Sequence, residues 1–511
     1  MNQVTRVFYI SLVIAFLFIG WGVIPESVLP NGNLSNVTGI IQGFLTDKFG
    51  WFYLLSATGF VIFSIYLIFS KYGKIKLGKP EDEPEYPYIT WFAMLFSAGM
   101  GIGLVFWGAA EPLSHFHTPA VPEQEAQTPD AAYSAMKYSF FHWGLHPWAI
   151  YATLALALAY FKFRKDAPGV ISATLTPLLG EKRVQGPLGT VVDSIAVFAT
   201  IFGVATSLGL GALQISSGLG FTIPGLEDTF TLQFIIIVAV TILFMISAMT
   251  GLNKGIRYLS NTNIVLALLL LLFMIFAGPT NFIMDFFTTS FGGYIRDLPY
   301  MSFRLTPFAE EDNTWVEAWT IFYWAWWISW APFVGTFIAR VSRGRTIREF
   351  VLGVLLVPTV FGALWFSAFG GTTIGLEYFD GIDINSDMAE LGTEVALFSM
   401  FEHVPLGSIM SFVGLLLIST FFITSADSAT FVLGMQTTGG SLNPNRKVKF
   451  TWGIIQAGAA SVLLWQGGLG ALQTAAIISA FPFTFILIMI CFSLMIAFKE
   501  EAKVVDLKKK R

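Results

Sequence analysis

The sequence predicts an all-α integral membrane protein with twelve transmembrane helices. First, 55% of the 511 residues are hydrophobic and only 12% are charged, whereas soluble domains carry about 25% charged residues. Second, twelve apolar segments approach the ~20 residues that a helix needs to cross the hydrocarbon core of a bilayer. Third, basic residues cluster in every second connection between these segments, as the positive-inside rule requires of a multi-pass protein. These observations exclude a soluble globular fold.

The first predicted span follows Arg6 and is long enough to cross the bilayer. The motif Pro25-Glu26-Ser27 after it offers no small-residue cleavage site, so we expect a retained helix and not a signal peptide. The twelve spans cover approximately residues 7–29, 51–70, 89–109, 139–161, 189–213, 231–250, 261–279, 316–339, 349–370, 406–433, 451–467 and 473–497.

Charge predicts the orientation of these spans. With a cytoplasmic N-terminus, the basic residues left on the outer side are only Lys48, Lys137, Arg296 and Arg304. Both termini are then cytoplasmic, and we expect a multi-pass protein of the cell (plasma) membrane. The C-terminal segment 499–511 is short and basic. It either satisfies the positive-inside rule alone or contacts anionic membrane lipid.

Two connections are predicted to be structured. The segment Phe282 to Tyr300 is rich in aromatic residues and glycine, and Ala389 to His403 has the pattern of a short amphipathic helix. Neither has the composition of a loose linker.

Charge, cysteine content and motifs exclude several classes of protein. The net charge of −4 gives no basic surface for nucleic acid. The single cysteine, Cys491, excludes a disulfide pair and a thiolate metal cluster. No Walker-type phosphate-binding motif is present, so energy has to come from an ion gradient, a substrate gradient or a partner.

Three glycines lie close together in the third span, within the segment from Ser97 to Gly103. Each glycine costs about 0.8–1 kcal/mol relative to alanine in a helix interior, so we expect a broken helix. Irregular backbone in a membrane survives only where protein or a water-filled cavity satisfies its hydrogen bonds. The segment is therefore predicted to line a site near the midplane. The alternative is a helix-packing face, since Gly99 and Gly103 form a GxxxG motif.

Aromatic side chains cluster inside the fourth and eighth spans, away from the helix ends where interfacial tryptophans are usual. Trp326, Trp327 and Trp330 of span eight share one helix face at about 100° per residue. A cage of aromatic rings can hold a quaternary ammonium group, which has no N–H to donate, by cation–π attraction. The alternative is a stripe that only packs the core. In span four, the aromatic residues that could contribute to such a cage are Trp143, Trp148 and Tyr151.

The tenth span contains Phe421 followed by Thr424, Ser425 and Asp427. Hydroxyl and carbonyl oxygens are hard ligands for a small cation, and a carboxylate inside a membrane span is a functional candidate. The alternative is structural, because Ser and Thr hydroxyls often bond back to the carbonyl four residues earlier.

Together these motifs are similar to the betaine/choline/carnitine transporter (BCCT) family, and most of all to its sodium-coupled glycine betaine carriers. The resemblance covers nearly the whole chain. It implies a LeuT-like fold of two inverted five-helix repeats preceded by two extra helices. The implied divisions are 1–88 (tail and two extra helices), 89–300 (first repeat, spans three to seven, with the amphipathic segment), 301–498 (second repeat, spans eight to twelve) and 499–511 (basic tail). The resemblance rests on the glycine stretch Gly99–Gly103 followed by Glu111-Pro112-Leu113, on the Trp143/Trp148/Tyr151 series, and on the run Trp324–Trp330 continued by Pro332 and Phe333.

The resemblance also implies which residues bind the substrate. The aromatic box around a trimethylammonium group falls on Trp143, Trp148, Tyr151 and Trp327, with Trp326 and Trp330 at neighbouring pathway positions. The substrate carboxylate is expected near the exposed N–H groups of the unwound segment that contains Gly99, Met100, Gly101 and Gly103.

For sodium, the resemblance implies one complete site and part of a second. The first consists of the backbone carbonyls of Ser97, Met100 and Phe421 and the hydroxyls of Thr424 and Ser425. Thr200 matches one of two threonines of the second site, near the ring of Phe333, but the other position holds Val204.

Two positions bear on substrate and coupling. Gly103 stands where choline-transporting relatives carry Asp, so an uncharged residue favours a zwitterion such as betaine. Ile264 aligns with the arginine that replaces sodium in carnitine exchangers, so we expect sodium dependence.

The implied function is a secondary active symporter, not an enzyme, that imports glycine betaine with sodium for osmoprotection by alternating access. No cofactor is implied besides the coupling ion, and the family implies a homotrimer. The alternatives are a proton-coupled carrier or an exchanger for carnitine, choline or another betaine-like compound. Outside this class stand an osmosensor and a membrane-embedded enzyme that uses His142, His146 and Asp427.

Overall fold

The computed structural model describes residues 4–99, 101–250, 253–307 and 315–509, with the backbone alone for 96–99, 250, 253–257 and 504–509. Within these ranges the regular elements are helices, apart from one isolated β-bridge between Lys76 and Thr346. The predicted all-α class is therefore confirmed for the described part of the chain. The helices of seven or more residues are α1 (Arg6–Gly22), α2 (Leu34–Phe69), α3 (Tyr88–Gly99), α4 (Ile102–His117), α5 (Pro129–Trp143), α6 (Leu145–Ala159), α7 (Pro187–Thr222), α8 (Phe230–Thr250), α9 (Asn253–Ala277), α10 (Thr280–Phe303), α11 (Phe322–Val341), α12 (Ile347–Asp380), α13 (Ile384–Leu391), α14 (Ala396–Glu402), α15 (Gly407–Gln436) and α16 (Arg446–Lys509).

Helix starts follow local capping chemistry. At α12, the Thr346 hydroxyl accepts a hydrogen bond from the Glu349 N–H, and the Glu349 carboxylate accepts one from the Thr346 N–H at 2.9 Å. This reciprocal pair is a capping box, which satisfies two of the donors that a helix N-terminus leaves free. At α5, Thr128 caps the first turn and Pro129 occupies its first position, where no N–H is needed.

Eight helices in the described ranges are long and apolar enough to cross a membrane, which supports a multi-pass membrane protein. The predicted number of twelve spans exceeds this because several helices are interrupted or joined. The third span is divided into α3 and α4, and α1 has only 17 residues. The last two spans are both contained in α16, which consists of two helices separated by a kink at Gly467 and Gly468. Twelve crossings, their orientation and the inverted repeats therefore stay predictions.

A pair of glycines divides α16 between its two predicted spans. Gly467 has φ 177° and ψ 23°, and Gly468 has φ 54° and ψ −132°. The positive φ of Gly468 lies in a region that L-residues with a side chain rarely adopt, so glycine is favoured there. The backbone can therefore change direction at these two residues before the helix resumes.

The burial pattern separates inner helices from peripheral ones. The helices α5, α6 and α7 are almost wholly buried, whereas α8 and α9 expose much of their apolar surface. Leu243, Leu272 and Phe276 are large exposed side chains of these peripheral helices. Continuous apolar surface of this kind suits contact with lipid and not with water.

The two connections predicted to be structured are helical. The first coincides with α10, which spans Thr280–Phe303. The second contains the end of α13, a 3₁₀ turn at Thr393–Val395, and α14. Both connections are therefore structured, as predicted, although the second contains two short helices and a 3₁₀ turn and not one helix.

Ion pairs fix two peripheral segments. Lys137 of α5 donates to Asp297 of α10 at 2.8 Å, which fastens α10 to the inner helices. Near the end of α16, Glu501 accepts hydrogen bonds from Arg164 and Lys165, which follow α6, at 2.9 Å and 2.6 Å. The last turns of α16 are thereby held against the chain that leaves the fourth predicted span.

Candidate functional site

The predicted break in the third span is present. Helix α3 ends at Gly99 and α4 begins at Ile102, and Gly101 between them has the non-helical angles φ −147° and ψ −145°. Met100 lies outside the described residues, while Ser97 and Gly99 are described by their backbone alone. The broken-helix interpretation is therefore favoured over a continuous helix with a packing face.

The glycines at this break allow indole rings to approach the backbone closely. A Cβ atom placed on Gly103 would lie 2.5 Å from Cη2 of Trp326 and 3.0 Å from Cη2 of Trp143. A Cβ on Gly101 would meet only ordinary contacts, 3.8 Å from Trp330 and 3.9 Å from the Ser425 hydroxyl. Gly103 thus lies directly against the aromatic cluster, and Gly101 lies between that cluster and Ser425.

A second break, which the sequence did not predict, divides the fourth span. Helix α5 ends at Trp143, Gly144 has φ −98° and ψ −125°, and α6 begins at Leu145. The Leu145 N–H donates to the hydroxyl of Tyr294 in α10 at 3.1 Å. The backbone carbonyl of His142 accepts a hydrogen bond from Nε1 of Trp327 at 2.9 Å. The proximity of Gly144 and Pro147 is the sequence signal that could have indicated this break.

The structure brings the predicted aromatic residues together as a buried cluster of rings. Trp143 and Trp327 have centroids 4.8 Å apart at 75°, and Trp326 stacks on Trp327 at 4.7 Å. Tyr151 meets Trp148 at 5.6 Å and Trp327 at 6.1 Å, both edge to face. These rings come from α5, α6 and α11. We call the set Trp143, Trp148, Tyr151 and Trp327 the aromatic box.

Next to the box, the carboxylate of Glu111 in α4 contacts four side chains, which belong to α4, α5 and α11. Its Oε2 accepts hydrogen bonds from Nε1 of Trp143 at 2.7 Å and from the Tyr323 hydroxyl at 2.5 Å. Its Oε1 lies 2.7 Å from Nδ1 of His142 and 3.2 Å from Nε2 of His115. All of these groups are fully or nearly fully buried. The sequence indicated Glu111 only as part of the Glu111-Pro112-Leu113 motif. Its hydrogen bond with the Trp143 indole shows that it holds this ring in the box.

Of the predicted sodium ligands in α15, Ser425 lies beside Gly101 at the break in span three. The Thr424 hydroxyl donates to the backbone carbonyls of Thr420 and Phe421 at 2.9 Å and 3.2 Å. It also accepts a hydrogen bond from Nδ2 of Asn263 in α9 at 3.0 Å. The α9 side chain bonded to Thr424 is thus that of Asn263, while the neighbouring Ile264 is half-buried.

The residues of the partial second sodium site are far less polar. Thr200 in α7 donates to the carbonyl of Ala196 at 2.7 Å and to Oε1 of Gln436 at 3.3 Å. Val204, one turn later, is buried and supplies no oxygen from its side chain. The ring of Phe333 lies 5.6 Å from that of Trp330.

A cavity of about 620 Å³ opens next to Phe333. Its lining includes Asp427 and Ser428 of α15 and the basic residues Lys162 and Arg340. These basic residues belong to the side that the charge pattern predicts to be cytoplasmic. Trp330 and Phe333 stand between this cavity and the aromatic box.

The two histidines that a membrane-embedded enzyme would use have separate hydrogen-bond partners, and the third residue, Asp427, lies on another helix. His142 lies against Glu111 and Thr320, whereas His146 lies 3.2 Å from the Ser302 hydroxyl and stacks on Trp324 at 4.8 Å. Asp427 lines the cavity on α15. The structure therefore does not assemble them as one catalytic group.

Comparison with known proteins agrees with this arrangement. The family model described as BCCT, betaine/carnitine/choline family transporter, matches residues 6–503. Glycine betaine transporter OpuD of Bacillus subtilis (strain 168) is 55% identical over 504 residues, which are 98% of this chain and 96% of that protein. The ectoine/hydroxyectoine transporter of Virgibacillus pantothenticus is 47% identical over 94% of each chain. A probable glycine betaine transporter of Desulfitobacterium hafniense (strain Y51) is 44% identical over 97% of each chain.

Proposed function

The chain belongs to the betaine/carnitine/choline transporter family, and from this premise we propose that it imports glycine betaine together with sodium by alternating access. Its family and relatives are transporters, which implies that it is not an enzyme. Osmoprotection is the physiological use that we propose. A homotrimer and contact of the basic tail with anionic lipid belong to the same proposal.

The aromatic box is the observation that carries the substrate class. A trimethylammonium group cannot donate a hydrogen bond, so it is recognised by the faces of aromatic rings from which water is excluded. Trp143, Trp148, Tyr151 and Trp327 are each at least nine-tenths buried and meet mostly edge to face. Rings at these angles can surround a cation from several sides.

Buried donors next to the box support a substrate that also carries a carboxylate. The hydroxyl of Tyr151 and the indole N–H groups of Trp326 and Trp330 are buried and have no hydrogen-bond partner among the described residues. Buried polar groups are normally satisfied, so groups like these favour an acceptor supplied by a ligand or water. A zwitterion offers both the cation for the rings and the acceptor for these donors.

Close packing at Gly103 supports selection against choline. A side chain at this position would overlap Trp326 and Trp143, so no carboxylate can lie here without moving the rings. Choline has no carboxylate of its own to balance its charge. The site therefore favours betaine over choline.

Sodium coupling is supported by Ser425, which lies beside Gly101 at the break between α3 and α4, together with the hydroxyl of the adjacent Thr424. Neutral hydroxyl and carbonyl oxygens suit a small hard cation. Because Val204 supplies no oxygen at the second position, we propose one sodium ion per substrate.

Ectoine is the second candidate substrate, because one relative that is 47% identical over 94% of the chain is an ectoine/hydroxyectoine transporter. Ectoine is also a zwitterion with a delocalised cation, so the same rings and donors suit it. Carnitine and other betaines share this chemistry.

Uptake by proteoliposomes tests the proposal. The purified chain is reconstituted, and uptake of radiolabelled glycine betaine is measured with and without an inward sodium gradient. We expect accumulation only with sodium, and competition by ectoine that is weaker than by unlabelled betaine. Uptake that ignores sodium but accelerates with betaine preloaded inside would identify an exchanger instead. Faster accumulation of ectoine would make ectoine the substrate.

A further inference from the structure

Asn263 is an unusual residue for its place in the fold. Helix α9 is peripheral, and its residues Val265 and Leu272 are exposed, yet Asn263 is only 2% exposed and points inward. Burial of an amide is costly unless its donors and acceptors are satisfied. A carboxamide at this position therefore calls for partners on the neighbouring helices.

Only one end of this amide has a partner within the described part of the chain. Nδ2 donates to the Thr424 hydroxyl at 3.0 Å, but Oδ1 is buried without a hydrogen-bond partner. Rotation of the amide by 180° exchanges these two atoms, which brings the oxygen to the place that Nδ2 holds beside Thr424. As the amide stands, Oδ1 is the acceptor left over between α9 and α15, and after rotation the oxygen lies beside the Thr424 hydroxyl.

The Thr424 hydroxyl is also arranged to present its oxygen toward Asn263. Its proton is directed to the carbonyls of Thr420 and Phe421 on its own helix. A lone pair therefore faces α9. With the amide rotated, its oxygen and the Thr424 hydroxyl oxygen would meet without a proton between them and repel each other unless a cation lay between them. Both oxygens are hard ligands of the kind that small cations prefer.

We propose that Asn263 is a ligand of the coupling sodium ion, with its amide oxygen joining the hydroxyl oxygens of Thr424 and Ser425. This inference rests on the proposed sodium symport and adds a third element, α9, to the site formed by α15 and the break near Gly101. All of these ligands are neutral. The ion would thus fasten the peripheral helix α9 to the helices that surround the substrate.

Three variants of the full-length reconstituted chain test this assignment. Asn263→Ala removes the amide. Asn263→Asp keeps the size and an oxygen ligand. Asn261→Ala removes an exposed amide from the same helix and serves as the matched control. The first measurement is the sodium concentration for half-maximal betaine uptake. The second is the sodium-dependent rise in melting temperature of the purified protein without substrate, which does not depend on transport.

We expect Asn263→Ala to raise the half-saturating sodium concentration about tenfold or more and to abolish most of the sodium-dependent stabilisation. Betaine KM at saturating sodium should change much less. Asn263→Asp should bind sodium at least as tightly as the unchanged chain, and Asn261→Ala should match it. If the alanine variant fails to fold, the aspartate variant still decides the question. A higher half-saturating sodium concentration for Asn263→Asp than for the unchanged chain would contradict the assignment.

Two other outcomes have distinct meanings. If the unchanged chain transports with sodium and Asn263→Ala lowers the melting temperature equally with and without sodium, Asn263 is only a structural tie to Thr424 and the assignment is wrong. If the unchanged chain neither requires sodium nor is stabilised by it, sodium symport itself is wrong and this assignment is overturned with it.

Discussion

The indole N–H of Trp327 donates a hydrogen bond to the backbone carbonyl of His142 at 2.9 Å. In a continuous helix this carbonyl would accept from the N–H four residues later, but the break at Gly144 leaves it free. The orientation of a ring in α11 is therefore set by an interruption between α5 and α6. The two predicted repeats meet in this bond.

Replacement of Trp327 should separate the contribution of the ring from that of its N–H group. Trp327→Phe keeps a ring face but loses a hydrogen bond worth about 1 kcal/mol, so we expect betaine KM to rise several-fold. Trp327→Ala also loses a cation–π contact of about 2 kcal/mol, so its betaine KM should be roughly ten to thirty times that of Trp327→Phe. Uptake kinetics measure both. Trp465→Phe, at an indole that is 58% exposed, is the control. Equal KM values for the phenylalanine and alanine variants would contradict the role of the ring face.

Gly103→Ala should damage the site sterically. Its new methyl group would lie 2.5 Å from Trp326, so the ring has to move away from the box. We expect weaker binding of betaine by about tenfold or more, as a shift of 1.4 kcal/mol produces. Binding is measured by quenching of tryptophan fluorescence. The control is Gly59→Ala in α2, where the added atom meets open space. Unchanged betaine affinity in Gly103→Ala would show that the rings tolerate displacement.

Glu111→Gln should weaken the hydrogen bond that positions Trp143 in the aromatic box. The amide keeps one acceptor oxygen but replaces the other with a donor, which faces groups that themselves donate to Glu111. Leaving buried donors without their acceptor in this way costs about 1–3 kcal/mol. We expect a large fall in melting temperature and a higher betaine KM. Glu402→Gln, at an exposed position, should change neither. A variant with normal stability but raised KM would mean that Glu111 positions Trp143 without supporting the fold.

The ion pair between Lys137 and Asp297 predicts a specific pH dependence. The Arg296 guanidinium beside Asp297, together with the Lys137 ammonium, holds the pKa of this carboxyl well below its usual range. Because the folded-state pKa is depressed, the stabilisation is present above the unfolded pKa near 3.8 and is lost as the pH falls through the folded value. Asp297→Asn should therefore lower stability by less than about 1 kcal/mol at neutral pH. Thermal unfolding should show the difference constant from pH 8 to 5 and smaller below pH 4. A difference that grows on acidification would contradict this.

The local signals of the sequence predict some parts of the site well. The glycines between Gly99 and Gly103 predict the break in span three because their cost in a helix is local. The tryptophans of α11 predict a shared face because helical periodicity alone places them there. Other parts depend on contacts between distant segments. Glu111 gains its partners from residues 31, 32 and 212 positions away, and no local pattern contains them.

Asn263 and Gly144 illustrate why the remaining features were missed. A single amide in an apolar helix does not indicate which side of the helix is buried, and alignment with the family pointed to Ile264 one residue later. Gly144 breaks the helix at a cost that Tyr294 offsets with its hydroxyl, 149 residues away from Leu145. The kink at Gly467 and Gly468, by contrast, lies where the predicted span 451–467 ends.

Hydrogen bonds within the protein fix the orientation of two rings of the aromatic box. Trp327 is tied to a backbone carbonyl and Trp143 to a carboxylate, so their ring planes are set before any ligand arrives. When a ligand binds, these side chains lose little rotamer freedom, and such preorganisation favours high affinity from few contacts. Binding of the substrate to such a preformed box changes the conformation of the protein little. Under the proposed sodium symport, the ion would have to drive the alternation between the two sides of the membrane, and the backbone breaks at Gly101 and Gly144 are where the helices could bend.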